Sequence, residues 1–231
     1  GSPGADDPTP GLAPIVINEV LARTDPPLFD TIELFNPTAT NVNLGGWYLT
    51  DDAALPLKFR IPNNTIIAAG GYVYFDANQF DATPGSPNSF LLSSTGDDVY
   101  LFSADLAGNL TGYNHGAGFG ASFNGVSFGR YVTSAGEEFF PLQAMPTLGA
   151  ANADPRIGPI IISEINYNPD AGGDEFIELL NITASSVALF DPAFPTNTWK
   201  LNGIGFTFPT NLTLAAGQPL LLVATNPVSF R

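Results

Sequence analysis

One stretch of this chain is used twice, and that repeat constrains the fold more than any other feature. IVINEV (15–20) is followed by DTIELFN (30–36), and IIISEI (160–165) is followed by EFIELLN (175–181). Glu19 and Glu33 stand as far apart as Glu164 and Glu178, so the block recurs without slippage. GGWYL (45–49) is answered by NTWKL (197–201), and NNTIIAAGG (63–71) by TNLTLAAGQ (210–218). Short apolar runs bounded by turn residues are strand signals, so the repeat predicts two copies of one β module.

Composition agrees with that reading. The 231 residues include 24 Gly, 21 Pro and 18 Phe, few windows favour a long helix, and Thr, Asn and Val are plentiful. A module of roughly 130 residues can bury about two thirds of its unfolded surface and so hold its own core. Formal net charge is −15, from 22 acidic against 7 basic residues, with no Lys/Arg cluster. Such a surface repels a phosphate backbone, which excludes nucleic acid as an expected partner. There is no cysteine, hence no disulfide framework, and no run of about 18 apolar residues that would span a membrane. The chain opens GSPGADD, and its one Met is Met145. It reads as a processed or engineered fragment whose signal peptide or further domains are missing.

Four segments follow. Residues 1–13 are Pro/Gly/Asp-rich and read as a linker or expression scar. Residues 14–152 form a complete β module with strands at IVINEV, TIELFN, VNLGGWYLTD, KFRIP and NNTIIAAGGYVYFD. SFLLSSTGDDVYLFSADLAGNLTGYNH (89–115) reads as a three-stranded meander, and VSFGRYV, EEFFPL and TLGAAN close the module. Residues 153–159 are a linker, and 160–231 are a second copy that lacks the meander and the closing strands. Open strand edges are an aggregation liability, so the second copy is expected to pack on the first or to pair with another molecule. The fold class is an all-β sandwich, one copy complete and one partial.

Taken together, INEV (17–20), IELFN (32–36), VNLGGWYL (42–49), FRIP (59–62), AAGG (68–71), GDDVYL (96–101), SFGR (127–130) and PTLGAAN (146–152) resemble the lamin-tail domain. The second copy is similar from ISEI (162–165) through AAGQ (215–218), with FDPAFPTN (190–197) inserted before its Trp. The resemblance implies an immunoglobulin-like sandwich with no catalytic residues. It also implies a binding or tethering accessory domain of a larger secreted or cell-surface, bacterial protein. The strong acidity departs from the lamins, so their nucleic-acid contacts are not carried over.

Several residue groups bear on chemistry. Glu19 with Glu33, and Glu164 with Glu178, place carboxylates at matching points of neighbouring strands, as a retaining glycosidase requires. The structural alternative has each Glu accepting bonds from backbone N–H groups or an Arg, with Arg130 the candidate partner; duplication in a partial copy favours it. Asp170, Asp174 and Glu175 put three carboxylates on a glycine-containing loop, a weak Ca²⁺ candidate without EF-hand spacing. Asp51-Asp52 and Asp97-Asp98 read as turn acids. His115, the single histidine, falls in the Gly/Asn-rich stretch GYNHGAG and makes neither a zinc site nor a triad alone. Tyr72, Tyr74, Phe75, Tyr100, Phe102, Phe119, Phe123, Phe128, Phe139 and Phe140 read mainly as core, with Phe119 and Phe123 as the candidates for an exposed sugar-stacking surface. Asn63, Asn109, Asn181 and Asn211 begin N-x-S/T sequons. The expected partner is a protein or a polysaccharide, with self-association through the incomplete copy as a further route. The alternatives are a calcium-dependent carbohydrate-binding module and a spacer that presents an enzyme lying outside these residues.

Overall fold

A computed structural model describes residues 14–228 and residue 230. The expected linker at 1–13 lies outside the described residues. Two compact units are present, 1–156 and 157–231.

The first unit contains β1 (Val16–Leu21), β2 (Thr31–Phe35), β3 (Val42–Asn43), β4 (Tyr48–Thr50), β5 (Phe59–Arg60), β6 (Ile66–Ile67) and β7 (Tyr72–Asp76). A single helical turn, α1 (Ala77–Phe80), precedes β8 (Asp97–Ala104), β9 (Leu110–Phe119), β10 (Phe128–Gly129), β11 (Tyr131–Val132) and β12 (Glu138–Phe139). Two four-stranded antiparallel sheets, β10-β1-β2-β7 and β5-β4-β8-β9, face each other as an immunoglobulin-like sandwich. Ile17, Val20, Ile32, Leu34 and Phe75 of the first sheet meet Leu49, Val99, Leu101 and Phe119 of the second in one apolar cluster. A hydroxyl and a ring nitrogen tie the two sheets: the Tyr113 hydroxyl donates to the Ile15 carbonyl at 2.7 Å, and the Ile17 N–H donates to His115 Nδ1 at 3.2 Å.

Burial alternates along much of β8 and β9 but not in β1, whose six residues are all buried. A register shift between Ile17 and Glu19 marks a bulge at Asn18. Ile17 and Val20 enter the core, while Glu19 faces Glu33 on the other side of the sheet. That outer side is covered in turn by residues 147–152, so both faces of β1 are shielded.

Some expectations are corrected. Residues 89–93 form no strand; Phe90 and Leu92 are buried in alternation without a ladder partner, and Phe90 stacks on Phe80 with centroids 4.8 Å apart. The meander is thus the hairpin β8-β9, and His115 lies within β9 rather than in a loop. TLGAAN forms no strand either. Ala144 N–H bonds Asp154, and Arg156 N–H bonds the Leu142 carbonyl at 2.6 Å, so residues 154–156 belong to the first unit. The boundary falls after Arg156, within the stretch read as a linker.

The second unit contains β13 (Ile160–Asn166), β14 (Phe176–Asn181), β15 (Val187–Ala188), β16 (Phe190–Asp191), β17 (Phe194–Thr198), β18 (Lys200–Leu201), β19 (Phe206–Thr207), β20 (Thr213–Leu214) and β21 (Pro219–Val223). Its largest sheet is three-stranded, β13-β14-β21. Glu164 pairs with Glu178 across β13 and β14, and the register shifts between Ile162 and Glu164, the counterpart of the bulge in β1. Its fully formed core is small, built on Leu179, Leu189 and Phe208.

One side chain closes the same loop in each unit. Asn36 Nδ2 donates to the carbonyls of Thr40 (2.8 Å), Ala68 (2.9 Å) and Ile67 (3.3 Å), while its Oδ1 accepts from Thr38 N and Oγ1. Asn181 Nδ2 donates to Ser185 (2.8 Å), Ala215 (2.9 Å) and Leu214 (3.0 Å), and its Oδ1 accepts from Thr183 N and Oγ1. Both amides are fully buried and fully satisfied. The turn before β6 and β20 also repeats: Asn64 and Asn211 take the left-handed conformation at φ 64° and 63°, which Asn tolerates better than other non-glycine residues.

Candidate functional site

Glu19 and Glu33 of the first unit are brought together as the spacing predicted, yet they are sealed from solvent. Glu19 and Glu33 are each 0% exposed. Thr147 donates to Glu19 through its backbone N–H (2.9 and 3.1 Å) and through its hydroxyl (2.8 Å). Gly149 N–H makes a very short bond to Glu33 Oε2, and Asn18 Nδ2 donates to Glu33 Oε1 at 2.9 Å. PTLGAAN therefore serves as a lid of donors for two acidic acceptors, and Asn152 locks it by bonding the carbonyls of Asn18 and Arg130 at 3.0 Å each. Burial pushes the Glu33 carboxyl up to about 7. The donors Gly149 and Asn18 oppose that rise, and the neighbouring Glu19 adds to it. A sugar cannot reach these carboxylates; they hold the fold together.

Arg130 is not their partner. Its Nε bonds Glu138 Oε2 at 2.6 Å, and His115 Nε2 lies 2.7 Å from Glu138 Oε1. Because His115 Nδ1 accepts from Ile17 N–H, its proton sits on Nε2 and is donated to Glu138. Burial holds the imidazole below its ordinary value, with Glu138 pulling the other way. The single histidine thus joins β9 to β1 and β12, with both ring nitrogens occupied.

The accessible candidate is an open groove of about 1100 Å³ on the first unit. One wall is the hairpin β11-β12, where Tyr131 pairs with Phe139 across the strands, 46% and 53% exposed, with Phe140 beside them. The other wall is the end of the hairpin β8-β9, with Asp97, Asp98 and Phe119. Asp97 is committed to its turn, accepting from Ser93 N–H at 2.9 Å and from Asp98 N–H at 2.9 Å. Asp98 is exposed and lies over Gly118, where an added Cβ would stand 2.7 Å from its Oδ1. Exposed aromatic rings, an exposed carboxylate and glycine backbone lining one groove suit a ligand that stacks and donates hydrogen bonds.

The remaining candidates separate clearly. Tyr131 escaped the sequence reading, although RYV facing EFF carries the alternation that places Tyr131 and Phe139 on one surface. Phe119 is in the core, 5.1 Å from the Phe128 ring, whereas Phe123 is exposed beneath the Arg156 guanidinium at 5.0 Å. Tyr74 and Phe139, expected in the core, are about half exposed. Asp170 and Glu175 are exposed, and Asp174 is half-buried. Among the described residues, no three His, Cys, Asp or Glu gather as a metal ion requires, those three included. The sequon residue Asn181 is buried and spends its amide on backbone carbonyls.

The family model described as Lamin Tail Domain matches residues 8–116, which supports a lamin-tail domain in the first unit. No curated protein and no solved structure matches the chain.

Proposed function

We propose that the chain is a non-enzymatic binding and tethering part of a larger secreted or cell-surface protein. In this reading the first unit is the recognition domain, and the second unit is a partial copy of the same module. The observation that carries the reading is the groove: exposed Tyr131 and Phe139 line it together with Asp98, while the Glu19–Glu33 pair of the same unit is sealed beneath Thr147 and Gly149. An immunoglobulin-like sandwich displays such a surface on a stable scaffold, as binding modules do. The paired rings favour a polysaccharide over a folded protein surface, because sugar faces stack on aromatic rings while their hydroxyls reach carboxylates.

The test is a thermal-shift and affinity-retention series against soluble polysaccharides, with Tyr131→Ala and Phe139→Ala alongside. A ligand of the native state raises the midpoint. Loss of one exposed ring should then weaken binding on the order of tenfold while leaving the unliganded midpoint unchanged. A ligand retained equally by both variants would remove the groove from the proposal. No ligand at all would leave the spacer reading in its place.

A further inference from the structure

The outward side of the hairpin β8-β9 is open and partly aromatic, and it runs on from the groove. Val99 and Leu101 point into the core, so Asp98, Tyr100 and Phe102 stand on the other side of the sheet. On β9 the core takes Ala117 and Phe119, which leaves Asn114, Gly116 and Gly118 facing out, all three exposed. The register sets Asp98 against Gly118, Tyr100 against Gly116, and Phe102 against Asn114. Tyr100 and Phe102, expected in the core, are therefore half-buried surface rings, with centroids 6.4 Å apart and planes tilted by 36°.

The glycines decide how the Tyr100 ring lies. An added Cβ at Gly116 would stand 3.0 Å from its Cδ1 and Cε1, so the ring lies down over β9 instead of standing off the sheet. Covering a glycine in this way supports an edge strand, and β9 is the edge of its sheet. It also turns one face of the ring to the protein and leaves the other outward. On the β4 side the same surface is closed: Thr50, paired with Tyr100, is 0% exposed, and Tyr48, paired with Phe102, is 8% exposed. The result is a shelf, walled along β4 and open along β9, where missing side chains let another molecule approach the strand closely.

The shelf and the groove share residues. Asp98 and Gly118 line the groove, and they are the outward pair next to Tyr100 and Gly116, about 7 Å along the hairpin. The charge of the shelf is one-sided. Burial, followed by the charges of Asp98 and Asp52, pushes the Tyr100 hydroxyl up, so it stays a protonated donor. Lys58 is spent on Asp51. A sugar carboxylate or sulfate would be repelled here, whereas uncharged hydroxyls meet acceptors.

We propose that Tyr100 and Phe102 form a second stacking subsite for the ligand of the groove, and that this ligand is an uncharged polysaccharide chain. The chain stacks on Tyr131 and Phe139, passes Asp98 and Gly118, and continues along β8-β9. This inference rests on the groove reading and deepens it: the site takes an extended polymer segment, not a small sugar. Two subsites on one ligand act together, so affinity rises with chain length until both are filled.

The experiment is native electrophoresis of the full chain through gels containing hydroxyethylcellulose, arabinoxylan or dextran, with carboxymethylcellulose as the charged counterpart. Retardation against polymer concentration gives the affinity. Tyr100→Leu and Phe102→Leu keep an apolar cover over β9 but remove the ring; each should weaken binding about fivefold. Tyr100→Phe should retain it. Trisaccharides cut from the retarding polymer fill the groove alone and should bind wild type and Tyr100→Leu alike, which also shows that the variant is folded. Carboxymethylcellulose should retard the chain on the order of tenfold less than hydroxyethylcellulose. Binding weakened by Tyr131→Ala but untouched in both Leu variants would overturn the second subsite and leave the groove reading standing. Equal retardation by the charged polymer would overturn the ligand class. No retardation of wild type by any of the polymers would overturn the groove reading, and this inference with it.

Discussion

Replacing Glu33 with Gln tests whether the sealed carboxylate pair costs the fold stability as pH rises. Glu33 is fully buried, with Gly149 N–H and Asn18 Nδ2 as donors and Glu19 directly across the strand pair. Its carboxyl is pushed from an ordinary 4.5 up to about 7, chiefly by burial. The folded state therefore binds this proton more tightly than the unfolded chain does. The stabilisation from that proton is complete below the ordinary value and is lost as pH climbs through about 7. At about 1.4 kcal/mol per unit the shift corresponds to roughly 3 kcal/mol; solvent screening through the exposed Gly149 turn reduces the expected loss to about 2 kcal/mol. Gln keeps the shape and an acceptor for Gly149 but carries no proton to lose. Urea unfolding followed by fluorescence of the buried Trp47, in a Trp199→Phe background, reads the first unit alone. From about pH 4.5 to about pH 8, wild type should lose about 2 kcal/mol relative to Glu33→Gln. Parallel profiles for the two proteins would refute the argument, because every other titrating group is common to both.

Further outcomes are expected for the buried amides and for the histidine. Asn36→Ala should cost about 2 kcal/mol, since it strands the buried Ile67 carbonyl and removes the partner of the Thr40 and Ala68 carbonyls and of the Thr38 N–H. Asn181→Ala should act in the same way on the second unit, lowering the midpoint read by Trp199 while leaving that of Trp47 in place. The single histidine gives one imidazole titration by NMR, and its midpoint should fall below 6.5 because burial disfavours the cation. A base depressed in the folded state withholds a proton that the unfolded chain accepts. Stability from His115 is therefore present at neutral pH and lost as pH falls below 6.5, and His115→Gln should abolish that loss.

Much of this architecture was legible because it depends on local pattern. The equal Glu–Glu spacing placed those residues opposite each other, and the Asn that ends each IEL-x-N run sits where its amide can close the next loop. The partners of the carboxylates were not legible. Thr147 and Gly149 lie more than a hundred residues from the groups they bond, and a short turn without periodicity gives no sign of what its N–H groups face. Arg130 is taken instead by Glu138 on β12, a pairing that opposite charge alone does not single out in the sequence. Phe90 and Leu92 alternate as a strand would, but alternation reports burial and not ladder pairing. Gly and Asn around His115 read as a loop, yet the residue lies within β9. In β9 those glycines are needed instead: at Gly116 an added Cβ would stand 3.0 Å from the Tyr100 ring.

The same residues in two surroundings separate what a sequence motif determines from what it only permits. The buried Asn is satisfied identically in both units because all of its partners come from the adjacent loop and one neighbouring turn. The Glu pair is satisfied in one unit only, because its donors come from a distant segment. A carboxylate pair that is costly to bury persists in both copies in the same register, and burial without donors would be more costly still. The pair thus accepts N–H groups where the chain supplies them. In the first unit the chain supplies its own donors and the pair becomes a structural lock. In the second unit Glu164 is exposed and Glu178 half-buried, and the side-chain donor to Glu178 is the neighbouring Ser163, so the same pairing register is held there by local contacts alone.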